Sequence, residues 1–180
     1  MKKVKTVLFA ILAAILLVVP VCANEKSISG ITGAGNITVY VGRKADIGAK
    51  APSTITYFSE NDKVALVDKN GSVTGVSEGT VYIRMQSRTT TKYKGTASRI
   101  LVTVRRNPQK VEASDKTVYV NETGNIGAKA NSTISYSNSN TDIVYVGQNG
   151  EIKGLRPGTA VITIKAKGTK KWEPATKKIK

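Results

Sequence analysis

Thr80-Val81-Tyr82-Ile83-Arg84-Met85-Gln86-Ser87 decides the fold class. Val81, Ile83 and Met85 fall on one side of an extended chain, and Tyr82, Arg84 and Gln86 on the other. A period of two with one apolar face predicts a half-buried β-strand. The pattern returns in the second half of the chain, where Ala160, Ile162 and Ile164 oppose Val161, Thr163 and Lys165. Working outward, Val64–Val67 and Val73–Val76 flank Asn70-Gly71, and Ile143–Val146 and Ile152–Leu155 flank Asn149-Gly150. Asn-Gly tolerates the positive φ of a tight primed turn, so each pair predicts a hairpin.

These returns belong to one internal repeat. A shift of 79 residues aligns residues 36–101 with 115–180 without a gap, and 24 of the 66 pairs are identical, which makes duplication the economical explanation. Val39-Tyr40-Val41 recurs as Val118-Tyr119-Val120, Ile47-Gly48-Ala49-Lys50-Ala51 as Ile126-Gly127-Ala128-Lys129-Ala130, and Tyr93 falls on Trp172. No sustained 3.6-residue apolar stripe interrupts either copy, so about seven short strands per copy are expected, packed as two sheets. Tyr57 and Tyr136 lie on predicted strands and are expected in the core. Arg105-Arg106-Asn107-Pro108-Gln109-Lys110 separates the copies; proline and charge make it a poor strand and hence a short linker.

The first 23 residues have a basic start (Lys2, Lys3, Lys5), an apolar run over residues 7–19 and a small-residue exit at Val21-Cys22-Ala23, the layout of a secretory signal peptide. The run is shorter than the roughly 20 residues of a membrane-spanning helix, which favours cleavage after Ala23 over a retained anchor. Cys22 raises lipidation, against which Val21 stands where a lipobox has a small residue. The mature chain then holds no cysteine, no histidine and no transmembrane span. Disulfides, a thiol nucleophile, an imidazole base and a His/Cys zinc site are excluded with them. Of the formal charge of +16, removing the three leader lysines leaves 25 basic residues against 12 acidic, or +13. Such a field attracts anionic polymers, although lysines also serve simply to solvate the outer faces of strands.

The order Tyr57, Asn61, Val64-Ala65-Leu66-Val67-Asp68, Asn70-Gly71-Ser72-Val73-Thr74-Gly75-Val76, Gly79-Thr80-Val81-Tyr82-Ile83 resembles the group 2 bacterial immunoglobulin-like domain, or intimin/invasin-like repeat. Tyr136, Asn140, Ile143-Val144-Tyr145-Val146, Asn149-Gly150 and Gly158-Thr159-Ala160-Val161-Ile162 carry the same order in the second copy. The resemblance implies an all-β chain of two tandem immunoglobulin-like β-sandwich domains after a signal peptide. The expected division is 1–23 for the signal, 24–106 for the first domain and 107–180 for the second, whose last strand is short because Lys180 falls three residues before the equivalent of Val104. It implies a secreted or cell-surface location, a role in adhesion, interaction or spacing, and no catalytic residues.

Comparing the copies separates scaffold from ornament. No acidic residue of the aligned stretch meets an acidic counterpart: Asp46 faces Asn125, Glu60 faces Ser139, Asp62 faces Thr141 and Asp68 faces Gly147. No acid/base or calcium constellation is therefore part of the shared design, and no catalytic residue, metal ligand or cofactor is expected. Glu60 with Asp62 or Asp68 is the nearest private grouping, in turns where carboxylates usually form the turn. Tyr93 and Trp172 are candidate ligand contacts as stacking platforms assisted by Lys92, Lys94, Lys170 and Lys171, or else rings that cap the ends of the sandwiches. Alternation turns Arg84 and Lys165 outward in what read as corresponding positions, a candidate basic face. Two functions fit. One is a non-catalytic interaction or spacer element contacting anionic cell-wall or host glycans; the other is a carbohydrate-binding module of an extracellular enzyme system. No nucleic-acid motif accompanies the charge.

Overall fold

A computed structural model describes residues 27–180; the proposed signal peptide lies outside them. Every element among the described residues is a strand. The first repeat contains β1 (Ser27–Ser29), β2 (Ile37–Tyr40), β3 (Lys44–Asp46), β4 (Ile55–Ser59), β5 (Ala65–Val67), β6 (Ser72–Gly75), β7 (Gly79–Ser87), β8 (Tyr93–Gly95) and β9 (Ala97–Arg105). The second contains β10 (Thr123–Asn125), β11 (Ile134–Asn138), β12 (Val144–Val146), β13 (Glu151–Gly154), β14 (Ile162–Ala166) and β15 (Ala175–Ile179). The expected seven per copy become nine and six, because β1 and β8 form an extra parallel pair in the first repeat and residues 116–119, the counterpart of β2, form no strand in the second.

In the first repeat, sheets ordered β2-β9-β7-β4 and β3-β6-β5 face each other. Val39, Val81, Ile83, Met85, Ile100, Val102 and Val104 from one sheet meet Ala65 and Val73 from the other in a single buried cluster. The second repeat packs β11-β14-β15 against β10-β13-β12 around its own cluster, which includes Val144, Ile152, Ile162, Ile164 and Ile179. Strand β7 shows the expected alternation, with Val81, Ile83, Met85 and Ser87 buried and the residues between them exposed. Burying side chains of this size from both sheets is what holds a disulfide-free module of this length together.

The chain changes sheet at one corner. Residues of β2 pair with β9, whereas the next residue, Val41, bridges to Gly75 in the opposite sheet. Gly42 turns the corner at φ 75°, and its N–H donates to the Gly75 carbonyl at 2.8 Å. In the second repeat Val120 bridges to Gly154 and Asn121 makes the same turn at φ 69°. Asparagine is among the few side chains that tolerate this region.

The Asn-Gly hairpins form, but not as two-residue primed turns. Only Gly71, at φ 81°, and Gly150, at φ 78°, enter positive φ. Gly71 N–H donates to the Asp68 carbonyl at 3.0 Å and Asp68 N–H to the Ser72 carbonyl at 3.1 Å, the pattern of a three-residue loop ending in a left-handed glycine. The Asp68 carboxylate accepts the Asn70 and Ser72 N–H groups at 2.8 and 3.0 Å, yet the second hairpin closes the same loop with Gly147 in that place, Gly150 N–H donating to the Gly147 carbonyl at 3.1 Å and Gly147 N–H to the Glu151 carbonyl at 2.8 Å. Tyr57 and Tyr136 are half-buried against the cores rather than within them. A Cβ on Gly71 would lie 2.8 Å from the Tyr57 ring, and one on Gly150 2.7 Å from the Tyr136 hydroxyl, so each glycine also makes room for its tyrosine.

The segment between repeats is strapped down. Asn107, 6% exposed, donates its N–H to the Lys171 carbonyl at 2.8 Å and accepts from Glu173 N–H at 2.9 Å. Its side-chain Nδ2 donates to the Val41 carbonyl of the first repeat at 2.8 Å and to Lys171 at 3.0 Å. Gln109 Nε2 donates to Ser132 Oγ at 3.0 Å and to the Glu173 carbonyl at 2.6 Å. Beside them Arg106 Nε lies 3.0 Å from Glu78 Oε2. Asn107→Leu strips the Val41 carbonyl of the buried bond from Asn107 Nδ2, a loss of about 1–3 kcal/mol. The expected outcome is a lower urea midpoint, monitored by the fluorescence of Trp172, the chain's single tryptophan.

Candidate functional site

Tyr93 and Trp172 are placed by the same local device. Tyr93 N–H donates to Thr90 Oγ1 at 3.0 Å while Thr90 N–H donates to the Tyr93 carbonyl at 2.8 Å. Trp172 N–H donates to Thr169 Oγ1 at 3.0 Å and Thr169 N–H to the Trp172 carbonyl at 2.9 Å. A threonine three residues ahead thus closes each loop on both its hydroxyl and its backbone. Both rings are half-buried. Lys92 Nζ stands 5.5 Å from the Tyr93 ring centroid and Lys171 Nζ 5.7 Å from that of Trp172, exposed cation–π contacts worth about 0.5–1 kcal/mol each. Lys94 and Lys170 are exposed beside them. The backbone at Tyr93 pairs with Ser27 and that at Trp172 bridges to Asn107, so each ring sits where the chain enters its module. For Trp172 this is the strapped joint.

Arg84 and Lys165 are both exposed, but they do not correspond. Arg84 stands between Phe58 of β4 and Arg99 of β9, whereas Lys165 stands between Ser135 and Thr176, the position that Gln86 holds between Thr56 and Ala97. The register is two residues apart, because the counterpart of Arg84 is Thr163.

The row through Arg84 is where the first module concentrates unusual side chains. Phe58 is 57% exposed and Tyr82 38%, both on the outer face of the four-stranded sheet. The Arg99 guanidinium lies 4.4 Å from the Tyr82 ring centroid. Arg84 Nε is 3.8 Å from Glu60 Oε1, an exposed ion pair of little energetic weight. A shallow depression of about 320 Å³ lies among Phe58, Arg84, Gln86 and Ser98. Two arginines directly opposite one another repel, and that repulsion is relieved by an anion. The face therefore offers aromatic surface for apolar contact and two guanidiniums for an oxyanion. Phe58, Tyr82 and Arg99 escape the sequence reading, yet a signal exists. Their counterparts are Ser137, Val161 and Lys178, so the aromatic–arginine set is private to the first copy.

The carboxylates have local duties. Glu60 faces Arg84, and Asp68 caps its own turn; the N–H groups of Ser72 and Asn70 hold its carboxyl below the usual carboxylate range. Burial pushes the Tyr57 hydroxyl up. Among the described residues no group of three or more His, Cys, Asp or Glu could hold a metal ion, and no helix is long and apolar enough to cross a membrane.

Two facing sheets, a chain that changes sheet at a corner and side chains presented on an outer strand face define a tandem immunoglobulin-like sandwich protein. Residues 38–97, within the first repeat, match the bacterial Ig-like domain (group 2). Domains of this type are non-catalytic and typical of extracellular or surface proteins. No curated protein is significantly similar to the chain. Among solved structures it is similar to domains 4 and 5 of the S-layer protein SbsC, at 16% identity and TM-score 0.38, covering 85% of this chain and 98% of that one. It is also similar to the insect immune protein hemolin, at 13% identity and TM-score 0.44, covering 88% and 47%. For an intimin mutant of EHEC O157:H7 the identity is 22% and the TM-score 0.30, covering 44% and 39%.

Proposed function

We propose that the protein is an exported, non-catalytic interaction element that holds an anionic surface polymer, such as a cell-wall or host glycan, on the outer face of its first sandwich. The row Phe58–Arg84–Arg99, with Tyr82 stacked on Arg99, carries this reading. The residual charge of +13 supplies long-range attraction, and the arginine row supplies the place where the polymer settles. Division 24–106 and 107–180 assigns this face to one domain and leaves the second as its partner in spacing or binding.

The test is retention on an immobilised polyanionic glycan over a salt gradient. Arg84→Gln with Arg99→Gln is expected to weaken binding about tenfold at low salt, since each exposed contact contributes roughly 0.5–1 kcal/mol and 1.4 kcal/mol is a factor of ten. Lys165→Gln, which removes one exposed charge elsewhere, is expected to change it little. Equal weakening by Lys165→Gln and by the arginine pair would reduce the binding to bulk charge. Trp172→Ala is expected to retain full binding; its loss would favour the carbohydrate-platform reading instead.

A further inference from the structure

Strand pairing fixes which side chains are neighbours along the row Phe58–Arg84–Arg99. Phe58 of β4 is paired directly with Arg84 of β7, which places their Cβ atoms about 4.5–5.5 Å apart on the outer face. An apolar ring and a guanidinium therefore stand side by side. Gln86 follows two residues along β7 on the same face, about 7 Å away, and is paired with Ala97 of β9. The small side chains of Ala97 and Ser98 leave a hollow of about 320 Å³ beside Phe58, Arg84 and Gln86. That volume is at the lower end of the range for small-molecule clefts and suits a single ring.

The charges on the row are already partly engaged. Glu60 Oε1 lies 3.8 Å from Arg84 Nε, and the Arg99 guanidinium lies 4.4 Å from the centroid of the Tyr82 ring. Two guanidiniums against one carboxylate leave a single net positive charge. Glu60 meets Arg84 on its Nε side, and the largely exposed arginine keeps its terminal Nη pair for a ligand. Such a pair matches a planar carboxylate bidentately. The second module repeats the positive charge without the platform: Ser137 and Thr163 replace Phe58 and Arg84, and Lys165 stands where Gln86 does.

Resting on the anionic-polymer reading of this face, we propose that the group it selects is a pyranose with a carboxylate on the ring, as in a uronic acid. The apolar C–H face of the sugar lies on Phe58, its carboxylate takes the Arg84 fork, and a ring hydroxyl meets the Gln86 carboxamide. In such a sugar the carboxylate is bonded to a ring carbon, so ring and charge are neighbours as Phe58 and Arg84 are. A phosphodiester on an open polyol chain supplies the charge but no ring face for Phe58. The lysines of the second module do not distinguish the two, so the first module chooses and the second only attracts.

The test is calorimetric titration of the full chain with three probes: an oligogalacturonate, its neutral methyl ester, and an oligo(glycerol phosphate) bearing the same number of charges. At low salt the oligogalacturonate is expected to bind about fivefold tighter than the glycerol phosphate, the scale of one aromatic contact, and the ester more weakly than either. Phe58→Ser is expected to erase that preference and to leave glycerol phosphate binding unchanged. Arg84→Lys keeps the charge and removes the fork; it is expected to weaken the oligogalacturonate several-fold and the glycerol phosphate hardly at all. Both positions are exposed, so both variants are expected to melt with the parent, which a thermal scan checks. Equal affinity for the two anions, or a preference that survives Phe58→Ser, overturns the proposal. If the two anions bind equally and both weaken on Arg84→Gln with Arg99→Gln, the uronic-acid assignment alone falls and the anionic-polymer reading stands. If neither responds to the arginine pair, both fall.

Discussion

Ile164→Ala is expected to lower the stability of the second module by about 2–5 kcal/mol, the range for truncating a fully buried isoleucine to alanine. Ile164 is 0% exposed, between Tyr136 on β11 and Lys177 on β15, and its side chain lies in the centre of the second core. A module of about 75 residues holds roughly 4–11 kcal/mol in total, so the loss is a large part of it. Trp172 lies in this module and is the chain's single tryptophan, so a urea titration followed by its fluorescence reports the second module selectively. The equivalent truncation in the first module is Met85→Ala, at a residue 1% exposed, and its effect is expected in circular dichroism with the Trp172 transition left in place. Both probes moving together for either variant would show the two cores to be one cooperative unit.

The second large effect is expected at the corner where the chain changes sheet. A Cβ on Gly75 would stand 2.7 Å from the Tyr40 carbonyl oxygen and 3.0 Å from a Val104 methyl; one on Gly154 would stand 2.4 Å from the Tyr119 oxygen. The Tyr40 and Tyr119 oxygens are backbone atoms, so no rotamer change relieves those two contacts. Gly75→Ala and Gly154→Ala are each expected to destabilise their module by about 1–3 kcal/mol, the usual range for overpacking. Gly35→Ala, with nothing within 4 Å of the added atom, serves as the control and is expected to fall within about 0.5 kcal/mol of the parent. A Gly154→Ala variant as stable as Gly35→Ala would mean that the corner yields freely, contrary to the packing described.

What was legible in the sequence follows from what side-chain order can encode. Alternation in β7 and its return 79 residues later show the strands, the buried face and the duplication, because an extended chain has period two whatever it packs against. The turn type was less visible, since Asn-Gly suits several loops and both hairpins take the three-residue one whether Asp68 or Gly147 opens it. Tyr57 and Tyr136 read as core because they lie on strands, yet each ring leaves the centre to lie over a glycine of the neighbouring hairpin. The candidate site was harder still. Arg84 is recognisable as outward-facing from its own strand, but Phe58 and Arg99 join it only through the registers of β4 and β9, which no local pattern fixes. Lys165, by contrast, is two residues off Arg84 by the sequence repeat itself, whose 79-residue shift sets it on Gln86.

The parallel pairing of β2 with β9 also bears on how the protein carries mechanical load. These strands lie near the two ends of the first module, so tension along the chain slides one past the other and strains the register pairs from Ile37–Val102 to Tyr40–Arg105 together. Such a shear geometry resists pulling far better than bonds broken one after another.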